Sequence, residues 1–437
     1  MKSIKKYKEV FILGIAGSGM SSIAKYLNQR GAIVRGYDQR SSYVTNLLEN
    51  DGVMSTQDMG HEKYNEDVLY VISSAIKIEE TFLKDYESKE NVMTRPTFLN
   101  LLSKEVEIIG ITGSHGKTST TALIAHIFHY NNINVSYIYG GVSSFGNIGG
   151  HFGDENLPLV LETDEAFNTF ENIEIENLLV TNIDNDHLDY FGSFTNLIKA
   201  FTQVINKVKQ TVVINLDDPN LKKINNGNLI TYGEHQEADI KIIEPNIIYY
   251  KKNNHTVNSV LLGKHYLSNI AGAIALCTRY ELSITEIIEA ISKFSGVKRR
   301  LEYIGNYKDV KFYDDYGHHP TEMKATISAL KNNTPGKLFV IFQPHRFTRT
   351  RDNFEQLQES LGDADFAVVT DIYSAGEEPI PGISSKNFKG KNIKYIKSLR
   401  SVPIYIKDNI ASGDNVLTLG AGDITLLGPQ ILKYLND

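Results

Sequence analysis

The sequence predicts an α/β protein of three domains, and three observations carry that expectation. At roughly 150 residues per domain, 437 residues divide into about three. Short apolar runs of strand length alternate with helical patterns along the chain, the arrangement that gives helix-covered parallel sheets. Two glycine turns, at 14–19 and 110–116, each stand between an apolar strand and a helix.

In order, residues 10–15 read as a strand, 21–30 as a helix, and 32–37 and 69–73 as strands. A strand at 106–112 opens the second region, followed by a glycine loop and a helix over 118–129. Residues 159–162, 178–183 and 211–215 read as strands, and 266–280 and 284–294 as helices. The last region carries strands at 311–315, 337–343, 366–370 and 416–419, with helical patterns between them. Boundaries at 103/104 and 296/297 give domains of residues 1–103, 104–296 and 297–437.

Composition narrows the function classes. Hydrophobic residues make up 41% and charged residues 22%, as in ordinary globular proteins. The net charge of −7 gives the whole chain no attraction for nucleic acid. One cysteine, Cys277, excludes a disulfide framework and a cysteine-rich zinc site. No apolar run approaches the ~20 residues of a membrane span. Lysines at 2, 5, 6 and 8 before an apolar run imitate a signal peptide, but Gly14 breaks the run early, as a first strand entering a turn would. A soluble, reducing, cytoplasmic setting is expected. Residues 104–296 carry 13 basic and 22 acidic groups, against 13 and 13 before them and 19 and 17 after. That central acidity suits a Mg²⁺ site, or simply a well-solvated surface.

The sharpest local signal runs Gly110-Ile111-Thr112-Gly113-Ser114-His115-Gly116-Lys117-Thr118-Ser119. A strand entering a glycine turn and a helix leaving it make a nest of backbone N–H groups for phosphate. Lys117 adds a charge for the terminal phosphates, and the Thr118 hydroxyl suits Mg²⁺. The standard P-loop would have glycine at Ile111, so this is a shorter loop of the form G-x-x-G-K-T. Gly14-Ile15-Ala16-Gly17-Ser18-Gly19 repeats the strand–turn–helix context, with Asp38 19 residues beyond Gly19. A dinucleotide fingerprint would have glycine at Ala16, and a UDP-linked diphosphate satisfies the same physics. A plain tight turn is the alternative.

Glu162 ends a strand, and His187 follows another in the acidic run Asn182–Asp189. Both stand at carboxyl ends of strands, where sites in α/β sheets gather; Glu162 suits Mg²⁺, and His187 is a less typical ligand for so hard an ion. In the last region, Asp314-Asp315-Tyr316-Gly317-His318-His319-Pro320 and Gln343-Pro344-His345-Arg346-Phe347-Thr348-Arg349-Thr350-Arg351 each follow a strand. Arg346 and Arg349 suit a carboxylate or a transferring phosphoryl group. The alternatives are a turn and a basic patch for nucleic acid, and the second has only Phe347 as an aromatic.

Together these residues resemble the Mur ligases, ATP-dependent amide-forming enzymes of bacterial cell-wall precursor synthesis. The short loop Gly113–Thr118 is similar to that family's phosphate loop, and the resemblance spans essentially the whole chain. It implies an N-terminal Rossmann-like sugar-nucleotide domain, a central P-loop-type ATPase domain and a C-terminal Rossmann-like domain. The 314–322 and 345–351 runs and Gly14–Met20 resemble members that add L-alanine to UDP-N-acetylmuramate. The resemblance implies ATP contacts from Gly113, Ser114, His115, Gly116, Lys117, Thr118, Ser119, His265, Asn269, Arg300 and Asp315. It implies Mg²⁺ ligands Thr118, Glu162 and His187, the histidine at a second metal site. UDP-sugar contacts would come from Gly14, Gly17, Ser18, Gly19, Met20, Asp38, Ser73, Ser74 and Arg95. His318 or His319, with His345, Arg346 and Arg349, would hold the alanine, and Lys117, Glu162 and His187 would join them as catalytic residues. Where the family has H-N-x-x-N, this chain has His265-Tyr266-Leu267-Ser268-Asn269. Rival readings are a recycling ligase that attaches a preformed tripeptide, a non-catalytic nucleotide switch, and an NAD-linked dehydrogenase.

Overall fold

Strands buried on both faces read as unbroken apolar runs, and such runs form the centre of each sheet in this chain. The computed structural model describes residues 3–186, 188–224 and 226–437. The first sheet comprises β1 (Glu9–Leu13), β2 (Ile33–Tyr37), β3 (Met54–Thr56), β4 (Val68–Ile72) and β5 (Val92–Thr94). Its order is β3-β2-β1-β4-β5, all parallel. The order reverses at β1, so the loops after β1 and β4 leave side by side at the position where α/β sheets bind ligands.

The second sheet has ten strands: β6 (Ile108–Thr112), β7 (Ser136–Val142), β8 (Ile148–His151), β9 (Leu159–Glu162), β10 (Asn177–Val180), β11 (Thr211–Asn215), β12 (Leu229–Gly233), β13 (Ile240–Ile243), β14 (Ile247–Tyr250) and β15 (Asn253–Thr256). The order is β15-β14-β13-β12-β11-β10-β6-β9-β7-β8. Central β6 is wholly buried and lies parallel between β10 and β9. The third sheet holds β16 (Glu302–Tyr307), β17 (Val310–Asp315), β18 (Leu338–Phe342), β19 (Phe366–Val369), β20 (Ile393–Tyr395) and β21 (Asn415–Leu419), in the order β16-β17-β21-β18-β19-β20.

The expectation of parallel pairing throughout needs correction at the sheet margins. β7–β8, β13–β14–β15 and β16–β17 pair antiparallel. These are hairpins, joined by turns too short for a parallel crossover.

The chain packs as two units, Met1–Ser259 with Ser268–Phe294, and Val260–Leu267 with Ser295–Asp437. The first and second sheets therefore lie in one unit, and their apolar residues, from Ile12 and Ile23 to Leu161 and Phe201, form one continuous core. Helix Ser18–Gln29 of the first sheet lies against β7 and β8. Ser22 Oγ donates to the Tyr139 carbonyl at 2.7 Å. A Cβ on Gly150 would stand 2.1 Å from the Ser22 carbonyl oxygen, so only glycine permits this approach. Among the described residues, no helix is long and apolar enough to cross a membrane.

Candidate active site

The loop after β6 is shaped by two glycines that no other residue would replace. Gly113 has φ 132°, and a Cβ there would stand 2.1 Å from Thr181 Oγ1. Gly116 has φ 84°, and its Cβ would stand 2.7 Å from Asn269 Oδ1. Helix Lys117–Tyr130 begins immediately afterwards, aiming its first N–H groups into the loop. The segment after β10 fixes the loop from below. Ser114 N donates to the Asn182 carbonyl at 3.0 Å, and His115 N donates to Asn182 Oδ1 at 2.9 Å. Thr181 Oγ1 donates to the His115 carbonyl at 2.6 Å, and His115 Nε2 pairs with Asp184 Oδ2 at 2.9 Å. This is a preorganised anion cradle.

Lys117 Nζ donates to Glu165 Oε2 and to the Gly113 carbonyl, both at 2.7 Å. Burial disfavours the lysine's charge, but the carboxylates of Glu165, Asp164 and Glu162 outweigh it and hold the ammonium above its ordinary range. Beside it, Thr118 Oγ1 donates to Glu162 Oε1 at 2.8 Å, and Gly140 N donates to Glu162 Oε2 at 2.6 Å. A hydroxyl and a carboxylate at the phosphate end of a cradle are the hard oxygen donors that Mg²⁺ takes. Those residues fit the ion; His187 lies outside the described residues.

The loop after β1 meets this site at Gly140. Ser18 Oγ lies 3.3 Å and Glu162 Oε2 3.5 Å from the point where a Gly140 Cβ would stand. Gly14, at φ 80°, faces Ser73, whose Cβ would stand 2.8 Å from an added Cβ. Arg95 lies over Gly19 at the start of helix Ser18–Gln29, its Nε 3.0 Å from an added Cβ. Among the described residues, the buried Arg95 Nε has no hydrogen-bond partner. Asp38 Oδ2 accepts from Ala16 N at 3.0 Å, so it braces the turn from within. Ser74 is exposed. Met20 is 2% exposed, and its side chain belongs to the core.

The second unit carries the remaining candidates. Asp315, at the end of β17, accepts from Leu301 N at 2.6 Å and from Gly317 N at 2.7 Å. Burial pushes its carboxyl up to about 6, against the pull of Arg300. The guanidiniums of Arg299 and Arg300 lie 4.8 and 5.1 Å from the Tyr316 ring centroid. His319 caps helix Pro320–Lys331, its Nδ1 accepting from Thr321 N at 3.4 Å. His318 Nδ1 donates to the Tyr316 carbonyl at 3.1 Å, and its ring lies 5.7 Å from that of His345. Arg349 Nη1 donates to His345 Nδ1 at 3.4 Å, and His345 stacks on Tyr373 at 5.6 Å. Burial, then His318 and both arginines, push His345 down to about 3, so its ring is neutral. Arg346 Nε donates to Glu377 Oε1 at 2.6 Å.

Helix Lys264–Cys277 spans the two units. His265, in the second, is half-buried, and desolvation pushes it down to about 4. Tyr266 is 5% exposed within the core of the second unit, and its hydroxyl donates to the Arg300 carbonyl at 2.8 Å. Asn269, in the first, lies against Gly116 as noted above.

The sequence reading missed Glu165, Asn182, Asp184, Tyr316 and Glu377. Four of these stand inside motifs that the sequence marks: Glu165 in Leu161-Glu162-Thr163-Asp164-Glu165, Asn182 and Asp184 in the acidic run Asn182–Asp189, and Tyr316 before the paired histidines. Glu377 gives no such signal, because it meets Arg346 from 31 residues away.

Comparison with known proteins agrees along the chain. Family models described as "Mur ligase family, catalytic domain", "Mur ligase middle domain" and "Mur ligase, glutamate ligase domain" match residues 9–106, 111–277 and 299–422. The UDP-N-acetylmuramate–L-alanine ligase of Desulforamulus reducens is 35% identical, over 99% of this chain and 99% of that protein. The corresponding ligase of Dictyoglomus turgidum is 36% identical, over 97% of this chain and 96% of its own length. The crystal structure of the UDP-N-acetylmuramate–alanine ligase MurC of Thermotoga maritima shares the fold, with TM-score 0.82 at 23% identity, over 98% of this chain and 99% of that one. With full-length relatives above 30% identity and all three family models in chain order, this chain belongs to the Mur ligase family.

Proposed function

We propose that this enzyme joins L-alanine to the lactyl carboxylate of UDP-N-acetylmuramate at the expense of ATP, a step of peptidoglycan precursor synthesis. The observation that carries the reading is the convergence at Gly140 of Ser18, from the loop after β1, and Glu162, which binds Thr118 of the phosphate loop beside Lys117; Arg95, over Gly19, has an Nε without a hydrogen-bond partner among the described residues. On this reading residues 1–103 bind the sugar nucleotide, 104–296 bind ATP, and 297–437 bring the amino acid.

A free carboxylate does not condense with an amine, because its oxygen is a poor leaving group. Transfer of the γ-phosphoryl group to a carboxylate oxygen gives an acyl phosphate and ADP. The neutral amine of L-alanine then attacks the acyl carbon; a C–N bond forms, the C–O bond to phosphate breaks, and the amine loses a proton. Lys117 is placed to stabilise charge on the transferring group, the main protein contribution to such chemistry. Thr118 and Glu162 would hold Mg²⁺, which when bound neutralises phosphate charge, with His187 at a second ion. Arg346 and Arg349 would hold the amino-acid carboxylate. Hydrogen bonding separates the paired histidines as proton acceptors: His319 Nδ1 accepts, so its neutral ring carries the proton on Nε2. His318 Nδ1 donates to the Tyr316 carbonyl, so a neutral His318 ring would offer Nε2 to the amine's proton. A cytoplasmic location follows from substrates made inside the cell.

Phosphate release from ATP and Mg²⁺ is the test, with product mass measured alongside. Release should require both UDP-N-acetylmuramate and L-alanine, and the product should gain one alanyl residue. Release with a preformed tripeptide, and none with alanine, would replace this reading with the recycling ligase.

A further inference from the structure

Arg346 and the turn leading to its partner both use backbone that residues with a Cβ rarely adopt. Arg346 has φ 69°. Glu377 closes a turn in which its N–H donates to the Ser374 carbonyl at 3.0 Å, and whose inner residues Ala375 and Gly376 have φ 50° and 88°. Left-handed backbone at two non-glycine positions persists only where surrounding contacts enforce it. Here the contacts are explicit. Glu377 Oε1 accepts from Arg346 Nε and Thr348 Oγ1, both at 2.6 Å, and Oε2 accepts from Thr348 N at 3.0 Å. Burial opposes the carboxylate's charge, but these bonds pull it down to about 2. The backbones are tied as well, Arg346 N to the Tyr373 carbonyl and Tyr373 N to the Pro344 carbonyl, both at 2.8 Å.

The arrangement is directional. Glu377 takes the guanidinium by Nε, at its inner edge, and is itself only 16% exposed, while the Arg346 side chain is 41% exposed. A guanidinium gripped at Nε has its terminal Nη groups fixed in direction, the edge by which arginine takes a carboxylate. We propose that Glu377 is a positioning residue for amino-acid binding, aiming the Arg346 guanidinium at the substrate α-carboxylate. This rests on Arg346 being the carboxylate anchor of the reading above.

Steady-state kinetics and thermal melts of Glu377→Gln, Glu377→Ala, Arg346→Ala and the Arg346→Ala/Glu377→Ala pair test it. Both Glu377 variants should raise KM for L-alanine about tenfold, with KM for ATP and for the sugar nucleotide within about twofold of wild type. The double variant should be no worse for alanine than Arg346→Ala alone, because positioning has nothing left to act on. If Arg346→Ala raises KM for alanine and Glu377→Gln does not, the proposal fails while the amino-acid site stands. If Arg346→Ala itself leaves that KM unchanged, the site assignment fails first. A parallel rise in all three KM values, or loss of the fold in both Glu377 variants, would make the residue structural and overturn the proposal.

Discussion

Lys117 illustrates how a residue read for catalysis acquires a second duty from its surroundings. Its ammonium is the counterion of Glu165, which is fully buried. Lys117→Ala is therefore expected to lower product formation by about 100- to 1,000-fold or more, and also to destabilise the fold by about 3 kcal/mol by stranding that carboxylate. Adding Glu165→Gln should restore the melting temperature without restoring turnover, which separates the two effects. His345 gives a pH-dependent expectation. Its folded-state pKa, near 3, lies below the ordinary histidine value of 6.5. Its contribution to stability is thus complete above 6.5 and is lost progressively as pH falls from 6.5 toward 3. His345→Phe, which preserves a ring against Tyr373, should flatten the fall of melting temperature across that window. Charge and spacing made Lys117, Thr118 and Glu162 legible in the sequence. Glu377 was not, since nothing local ties it to Arg346.

Among elements, the strands that deliver the site loops were the readable ones. β1, β6 and β18 are continuous apolar runs that end in glycine turns or in polar clusters, and their buried centres explain both features. β7 and β8 were illegible for a tertiary reason: Gly140, Gly149 and Gly150 replace side chains so that other groups approach the backbone. β3, β5 and β20 are three residues long, too short for an alternation pattern. The phosphate loop should be intolerant of any side chain at its first turn. Gly113→Ala forces both a φ of 132° and a clash with Thr181 Oγ1. It should cost at least about 2 kcal/mol in denaturant unfolding and weaken ATP binding measured by calorimetry. Tyr266 departs from the asparagine of the family pattern, and the structure shows that its ring serves the core. Tyr266→Phe should cost about 1 kcal/mol by losing the bond to the Arg300 carbonyl, with KM for ATP unchanged. Tyr266→Asn should cost about 3 kcal/mol, because a cavity replaces the ring.

Across the whole molecule, three sheets were legible from the alternation of strands and helices, and three glycine- or histidine-rich loops marked the carboxyl ends of strands in them. What the alternation did not disclose is the shared core of the first two sheets. That core depends on glycine at 150, where helix Ser18–Gln29 approaches β8. It brings Ser18 of the loop after β1 and Glu162, the partner of Thr118, together at Gly140, where on the proposed reading a carboxylate on one ligand and the γ-phosphoryl of another would meet. The most direct test follows the oxygen. UDP-N-acetylmuramate labelled with ¹⁸O in its lactyl carboxylate is turned over with ATP and L-alanine, and the released phosphate is analysed by mass. Activation through an acyl phosphate predicts one labelled oxygen in each phosphate for every amide formed; amide formation with unlabelled phosphate would contradict it.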